Sequence, residues 1–134
     1  MKSRAWPALG TYEVGGGVRS CVLDLMKYGQ LFLNDGKAAD GRQIAPADGL
    51  RKMWNSPMYP VDRKGCYHFA LKVTPSYADL GVTLVEHSGS QPGVSSSFGL
   101  IPEKGITVAV LTNVSEIPAS AIWLATVNTA LVWL

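Results

Sequence analysis

Cysteine and excess charge are both scarce in this chain. Of its 134 residues only Cys21 and Cys66 are cysteines, and neither has neighbours typical of a metal site. Because disulfide frameworks belong to small Cys-rich secreted domains, we expect free, partly buried thiols. A disulfide between the two cysteines remains the alternative. The 12 Lys and Arg residues exceed the 10 Asp and Glu residues by only +2, and they are scattered. This distribution argues against nucleic acid as a partner.

Long apolar runs are also missing. Residues 1–7 carry positive charge, but no apolar segment follows them, so we predict no signal peptide there. Residues 117–134 are apolar apart from Pro118 and several polar side chains, whereas a membrane-spanning helix needs about 20 mostly apolar residues. We therefore predict a packed C-terminal helix and no membrane partner, and the sequence leaves the compartment unknown.

The remaining composition is that of a folded domain. Hydrophobic residues make up 47% of the chain and charged residues 16%, the opposite of the balance found in disordered segments. A length of 134 residues suits one domain or part of a larger one. We predict a single partial domain over residues 1–134. Its parts are an irregular lead-in (1–19), a helical part (20–57) and a sheet with a C-terminal helix (66–134).

Residue spacing predicts the elements within these parts. Helical periodicity indicates an amphipathic helix over residues 20–33 and a short second helix over 46–54. Residues 58–65 read as loop and residues 67–73 as a strand. Three β-rich runs follow, and residues 102–105 form a hairpin turn between the last two. The runs cover residues 81–87, 94–101 and 106–112. We expect residues 83–90 to pair with 94–101.

These elements predict an α+β fold. We expect an antiparallel β-sheet of three to four strands with the C-terminal helix packed across one face. The first two helices are expected to lie apart from the sheet. The run 106–111 is apolar nearly throughout, which indicates a strand covered on both faces.

Five short segments of the chain together form a pattern of motifs. They are GVRSCVLDL (17–25), YHFAL (67–71), His87-Ser88-Gly89, IPEKG (101–105) and LTN (111–113). In order and spacing they resemble the C-terminal half of the serine β-lactamase and penicillin-binding-protein-like hydrolases, most of all class C β-lactamases, D-aminopeptidases and esterases. The resemblance implies a partial β-lactamase/transpeptidase-like fold and acyl transfer to a serine, with hydrolysis of an ester, amide or β-lactam and no cofactor.

Two motifs of these hydrolases are absent from the 134 residues. No serine is followed three residues later by lysine, and no tyrosine begins a Tyr-x-Asn or Tyr-x-Ser motif. The lysine of Ser-x-x-Lys activates the nucleophilic serine. We therefore interpret the chain as the C-terminal part of such a hydrolase, inactive by itself. Two alternatives remain: a non-catalytic binding or structural domain, and a complementing fragment that needs an N-terminal partner chain.

The resemblance also implies site residues. His87 and Ser88 would face the nucleophile and the substrate, and Gly89 would let the substrate backbone approach closely. The Ser90 N–H would contribute to an oxyanion hole. Asn113 would contact a substrate carboxylate or order the end of the site. The alternatives are that His87 is an ordinary strand-end histidine and that Asn113 is a turn residue.

Other polar residues give weaker indications. His68 is expected at the surface or a strand edge, and no third ligand accompanies it and His87, so we predict no metal site. Residues 95–97 are serines without a base spaced to activate them, and we interpret them as strand hydroxyls.

The expected partners are few. A small-molecule or peptide-like substrate would bind only if an N-terminal half completed the site. The apolar strand 106–111 would have a free edge, which invites pairing by another chain. We therefore expect a homo-oligomer formed through this edge or by exchange of the helix in residues 119–134.

Overall fold

The computed structural model describes residues 13–56, 59–62, 65–74 and 77–133. Most of the predicted irregular lead-in, residues 1–12, lies outside the described residues, and its remainder contains one helical turn. The helices are α1 (Glu13–Gly16), α2 (Val22–Leu33), α3 (Ala47–Asn55) and α4 (Ala119–Val132). The strands are β1 (Tyr59–Asp62), β2 (Gly65–Tyr67), β3 (Lys72–Thr74), β4 (Leu84–Gln91), β5 (Val94–Ile101) and β6 (Ile106–Thr112).

The strands form one antiparallel sheet in chain order, from β1 at one edge to β6 at the other. The pairing of β4 with β5 runs from Val85 opposite Leu100 to Gln91 opposite Val94. A single 3₁₀ turn, Pro102–Lys104, followed by Gly105 at φ 63°, connects β5 to β6. The predicted hairpin over residues 94–112 is confirmed.

The sheet has six strands in the described residues, so the expected count of three to four was too low. The predicted strand 67–73 is two short strands, β2 and β3, and the predicted loop 58–65 contains β1. The turn between β2 and β3 is closed by the His68 N–H, which donates to the Leu71 carbonyl at 2.8 Å. Ala70 takes a left-handed conformation there, at φ 62°. Because this turn contains no glycine or proline, the sequence does not mark it.

Alternation along the strands produces two apolar layers. On the α4 side lie Val82, Leu84, Ile101, Val108, Trp123 and Val127. On the side of α2 and α3 lie Phe32, Leu50, Leu71, Val85 and Leu100. The expectation that the first two helices lie apart from the sheet was therefore wrong. A Cβ at Gly29 would collide with the Thr107 side chain, so the absence of one lets α2 lie directly against β6.

The C-terminal helix is anchored by one large residue. Trp123 is 1% exposed, and its Nε1–H donates to the Val108 carbonyl at 3.0 Å. The outward side of α4 is also apolar, and Ile122, Val132 and Trp133 are exposed. Within the described residues no helix has the length and apolar content that crossing a membrane requires.

Candidate active site

The second half of β4 is an exposed strand with one open side. Pairing of β3 with β4 ends where Lys72 lies opposite Glu86. Beyond that point, β4 is paired in the described sheet only with β5, as far as Gln91. The β-rich run in the sequence ends at residue 87, but pairing of residues 83–90 with 94–101 was expected. The observed strand continues to Gln91, in agreement with that pairing.

His87 lies on this open stretch. Its side chain is exposed and does not enter either apolar layer. Its Nε2 lies 2.9 Å from the Tyr67 hydroxyl oxygen. The two rings also meet edge to face, with centroids 5.9 Å apart and planes at 83°. Tyr67 was not among the predicted site residues, although it begins the YHFAL segment that contributes to the family resemblance.

Ser88, Gly89 and Ser90 lie opposite the three serines of β5. Gly89 pairs with Ser96, whose hydroxyl oxygen would lie only 2.8 Å from a Cβ at position 89. Ser95 donates its hydroxyl to the Val114 carbonyl at 3.3 Å. Ser97 is 1% exposed, and its hydroxyl has no hydrogen-bond partner among the described residues. The surroundings of the serines in β5 suit the predicted role of strand hydroxyls.

An open cavity of about 780 Å³ adjoins this strand. Its walls come from the glycine segment before α2, from β4 and β5, and from the end of β6. All five residues singled out from the sequence line it: His87, Ser88, Gly89, Ser90 and Asn113. Small-molecule sites generally occupy about 300–1,000 Å³, so the cavity is large enough for a ligand of that kind.

Comparison with known proteins identifies the family of the chain that contains this cavity. The family model for β-lactamase matches residues 2–127. The chain belongs to the β-lactamase family. A solved structure described as the octameric penicillin-binding protein homologue from Pyrococcus abyssi is 34% identical, with a TM-score of 0.69. The match covers 84% of this chain and 24% of that chain, so this β-lactamase-family chain spans about a quarter of that relative's length. No curated protein is matched by the sequence.

The rim of the cavity in this β-lactamase-family chain is held by polar and aromatic contacts. The Gln91 side-chain amide donates to the Gly16 carbonyl at 2.6 Å, which ties the glycine segment to the end of β4. On the helix side, the Tyr28 ring lies 5.6 Å from that of Phe98, a residue that lines the cavity. Partial burial raises the pKa of the Tyr28 phenol above its usual value. Arg19 supplies a cationic side chain to the lining.

A second, smaller cavity of about 350 Å³ lies between β2–β4 and the beginning of α4. Tyr67, Lys72 and Glu86 line it, together with Ser120 from the first turn of α4. His87 and Ser88 line both cavities, so this part of β4 separates them. The Tyr67–His87 contact therefore belongs to the wall between the two spaces.

His68 and the cysteines lie elsewhere. The expectation that His68 sits at the surface or a strand edge was wrong: it is 8% exposed, because the tight turn after β2 places its ring inside. Among the described residues no group of three or more His, Cys, Asp and Glu side chains could hold a metal ion. Both cysteines are free, but Cys21 is fully at the surface and only Cys66 is partly buried as expected.

Proposed function

We propose that this chain supplies the substrate-lining strand of a β-lactamase-family serine hydrolase that transfers and hydrolyses the acyl group of an ester, amide or β-lactam. The observation that carries the proposal is that all five residues predicted from the sequence line one cavity. In this proposal His87 and Ser88 face the reacting groups. Gly89 leaves room for the substrate backbone, the Ser90 N–H binds the developing oxyanion, and Asn113 contacts the substrate's far end.

The same cavity supports the proposal that the 134 residues do not perform the acylation step by themselves. Its serines are Ser20, Ser88, Ser90, Ser95, Ser96 and Ser97. None has a lysine three residues later, and the Nε2 of the cavity's histidine is occupied by the Tyr67 hydroxyl. A serine without a general base to activate it is a weak nucleophile. The chain would then be the C-terminal part of the hydrolase, completed by residues that carry Ser-x-x-Lys.

Covalent probes test whether the chain lines the substrate site without supplying the nucleophile. The isolated chain should form no adduct with a fluorescent penicillin or a fluorophosphonate, as judged by intact mass. An adduct on any serine of the cavity would contradict the absence of a nucleophile. Addition of an N-terminal half from a homologue that carries Ser-x-x-Lys should produce labelling on that half. Gly89→Ala should weaken this labelling, whereas Gly49→Ala, in a helix away from the cavity, should not.

A non-catalytic binding domain is the second candidate, favoured by a cavity that has hydrogen-bonding walls but no activated serine. Its distinguishing result would be reversible binding of benzylpenicillin to the isolated chain. Chemical-shift changes at His87, Ser90 and Asn113 without any mass increase would support it. If labelling appeared in the complemented protein, the hydrolase proposal would be preferred.

We also propose that the chain forms a homo-oligomer. Strand β6 is at the edge of the described sheet, and the outward side of α4 exposes Ile122, Val132 and Trp133. An unpaired apolar edge and an exposed apolar face both favour association. The octameric state named for the Pyrococcus abyssi relative supports this proposal. Pairing through the β6 edge and exchange of the helix in residues 119–134 are the two candidate arrangements.

Sedimentation at micromolar concentration tests the oligomer. Leu111→Lys, which places a charge on the exposed part of β6, should shift the equilibrium towards monomer if the edge pairs. Leu80→Lys, at an exposed position outside the strands, is the control and should leave it unchanged. A wild-type chain that sediments as a monomer throughout that range would refute the proposal.

A further inference from the structure

The Tyr67–His87 contact joins two segments that lie 20 residues apart in the sequence. Tyr67 ends β2 and lies opposite Lys72 of β3, whose own partner on β4 is Glu86. His87 is the next residue of β4, at the point where β3 no longer covers it. The tyrosine therefore reaches past the end of β3 to the first uncovered residue of the exposed strand.

This hydroxyl is the hydrogen-bond partner that the described residues offer to the His87 ring. Lys72, Glu86 and Ser88 line the same small cavity, but no hydrogen bond connects them to the imidazole. The edge-to-face ring contact adds a second restraint on its orientation. A single neighbouring side chain thus contacts the Nε2 of His87 and restrains the orientation of its ring.

The direction of the hydrogen bond follows from the chemistry of the two groups. A neutral imidazole has one nitrogen that donates and one that accepts, and the partner of each selects the tautomer. A phenol is a stronger acid than a neutral imidazole N–H, and an imidazole nitrogen is a stronger base than a phenol oxygen. The favoured arrangement is therefore phenol O–H donating to Nε2, which leaves the proton of the ring on Nδ1.

We propose that Tyr67 is a positioning residue for His87, and that its hydroxyl holds the neutral imidazole in the tautomer with hydrogen on Nδ1. If His87 faces the substrate, as the proposed function has it, the nitrogen that remains for the substrate is a hydrogen-bond donor and not a base. The tautomer itself does not depend on that function, and it is measured without any substrate.

Long-range ¹H–¹⁵N spectra of the uniformly ¹⁵N-labelled chain report the tautomer of each histidine directly. The chain contains only two, so His68→Gln assigns the signals. In the neutral wild-type protein, the His87 ring should show the pattern of hydrogen on Nδ1. Tyr67→Phe keeps the ring contact and removes the hydroxyl, and it should reverse the preference so that Nε2 carries the hydrogen.

The matched control is Tyr77→Phe, which removes another tyrosine hydroxyl, one that donates to the Asn128 side chain at 2.5 Å. It should leave the His87 pattern unchanged, and the His68 signals should be the same in all tyrosine variants. A wild-type His87 with hydrogen on Nε2, or a pattern that Tyr67→Phe does not alter, would overturn the proposal. If Tyr67→Phe does not fold, the wild-type spectrum alone decides.

The outcome is separable from that of the proposed function. Failure of an N-terminal half to restore probe labelling would count against the hydrolase role and would leave the tautomer result standing. An Nε2–H tautomer together with successful labelling would reject the positioning role of Tyr67 and retain the hydrolase role.

Discussion

Along β4, Leu84 and Val85 are 2% and 0% exposed, whereas the residues from His87 to Ser90 are all exposed. Both halves of the strand pair with β5 in one continuous register. Backbone pairing is therefore the same in the two halves, and the difference lies in the side chains and in what covers them. Helices cover the first half on both faces, and two cavities flank the second.

This contrast explains how an exposed strand keeps a defined position. The buried half is locked between two apolar layers, and the ladder to β5 extends that order into the polar half. Site residues carried on a rigid strand are held more exactly than residues on a loop. Substitutions in the apolar half should therefore affect folding, and under the proposed function those in the polar half should affect binding.

The largest expected effect is at Trp123, which fills the α4 side of the apolar half. Trp123→Ala should lower the free energy of unfolding by about 3–5 kcal/mol, because it removes a buried ring and its hydrogen bond to the Val108 carbonyl. Trp133→Ala, at a position 84% exposed, should change it by less than about 0.5 kcal/mol. Urea unfolding followed by circular dichroism measures both. Similar losses for the two variants would show that the apolar half does not depend on this helix.

Two glycines give a sharper test, because Gly99 of β5 packs beside the apolar half of β4 and Gly89 lies in its polar half. A Cβ at Gly99 would lie 2.5 Å from the Trp123 ring and 2.6 Å from the Val85 carbonyl oxygen. Gly99→Ala should therefore cost about 1–3 kcal/mol through overpacking. A Cβ at Gly89 would meet only the Ser96 hydroxyl, which can rotate away, so Gly89→Ala should cost less than about 1 kcal/mol. Equal unfolding free energies for the two variants would remove the contrast between the regions.

Val85 and His87 lie two residues apart on the same face of β4. Val85→Ala should cost about 1.5–3 kcal/mol, since a fully buried side chain is truncated. His87→Ala removes an exposed hydrogen bond to Tyr67 and should cost no more than about 1 kcal/mol in urea unfolding. A greater cost at His87 than at Val85 would favour the alternative that His87 is a structural, strand-end residue.

The smallest effect is expected at the beginning of α2, outside both regions. The hydrogen bond from Lys27, together with one from Cys21, lowers the pKa of Asp24 below its usual 3.8, and Asp24 in turn raises the pKa of Lys27 above its usual 10.5. The stabilisation from Asp24 is therefore present above pH 3.8 and is lost as the pH falls through its folded pKa. That from Lys27 is present below pH 10.5 and is lost as the pH rises through its folded pKa.

Asp24→Asn should consequently lower the urea midpoint slightly at pH 7. The difference from wild type should disappear in acid and shrink in high salt, because both groups are at the surface. A difference that persisted at pH 2 would show that the pair is not its cause.

The hairpin of β5 and β6 was predictable because the residues that specify it are close together in the sequence. The β-rich runs 94–101 and 106–112 match the observed strands, and the turn between them contains Pro102 and Gly105. The division of residues 65–74 into β2 and β3 was not predictable, since an ordinary alanine occupies the left-handed position of the turn. The packing of α2 on β6 was also missed, because it depends on what Gly29 meets across space.

The sequence by itself determined the helix and strand pattern of the second half, the family, and five candidate site residues, because these follow from spacing and from short motifs. Only the tertiary structure decided that the five residues border one cavity and that Tyr67 contacts His87. The physical reason is register. Which side chains meet across a sheet depends on how every strand between them pairs, and a shift of one residue would turn each side chain to the opposite face.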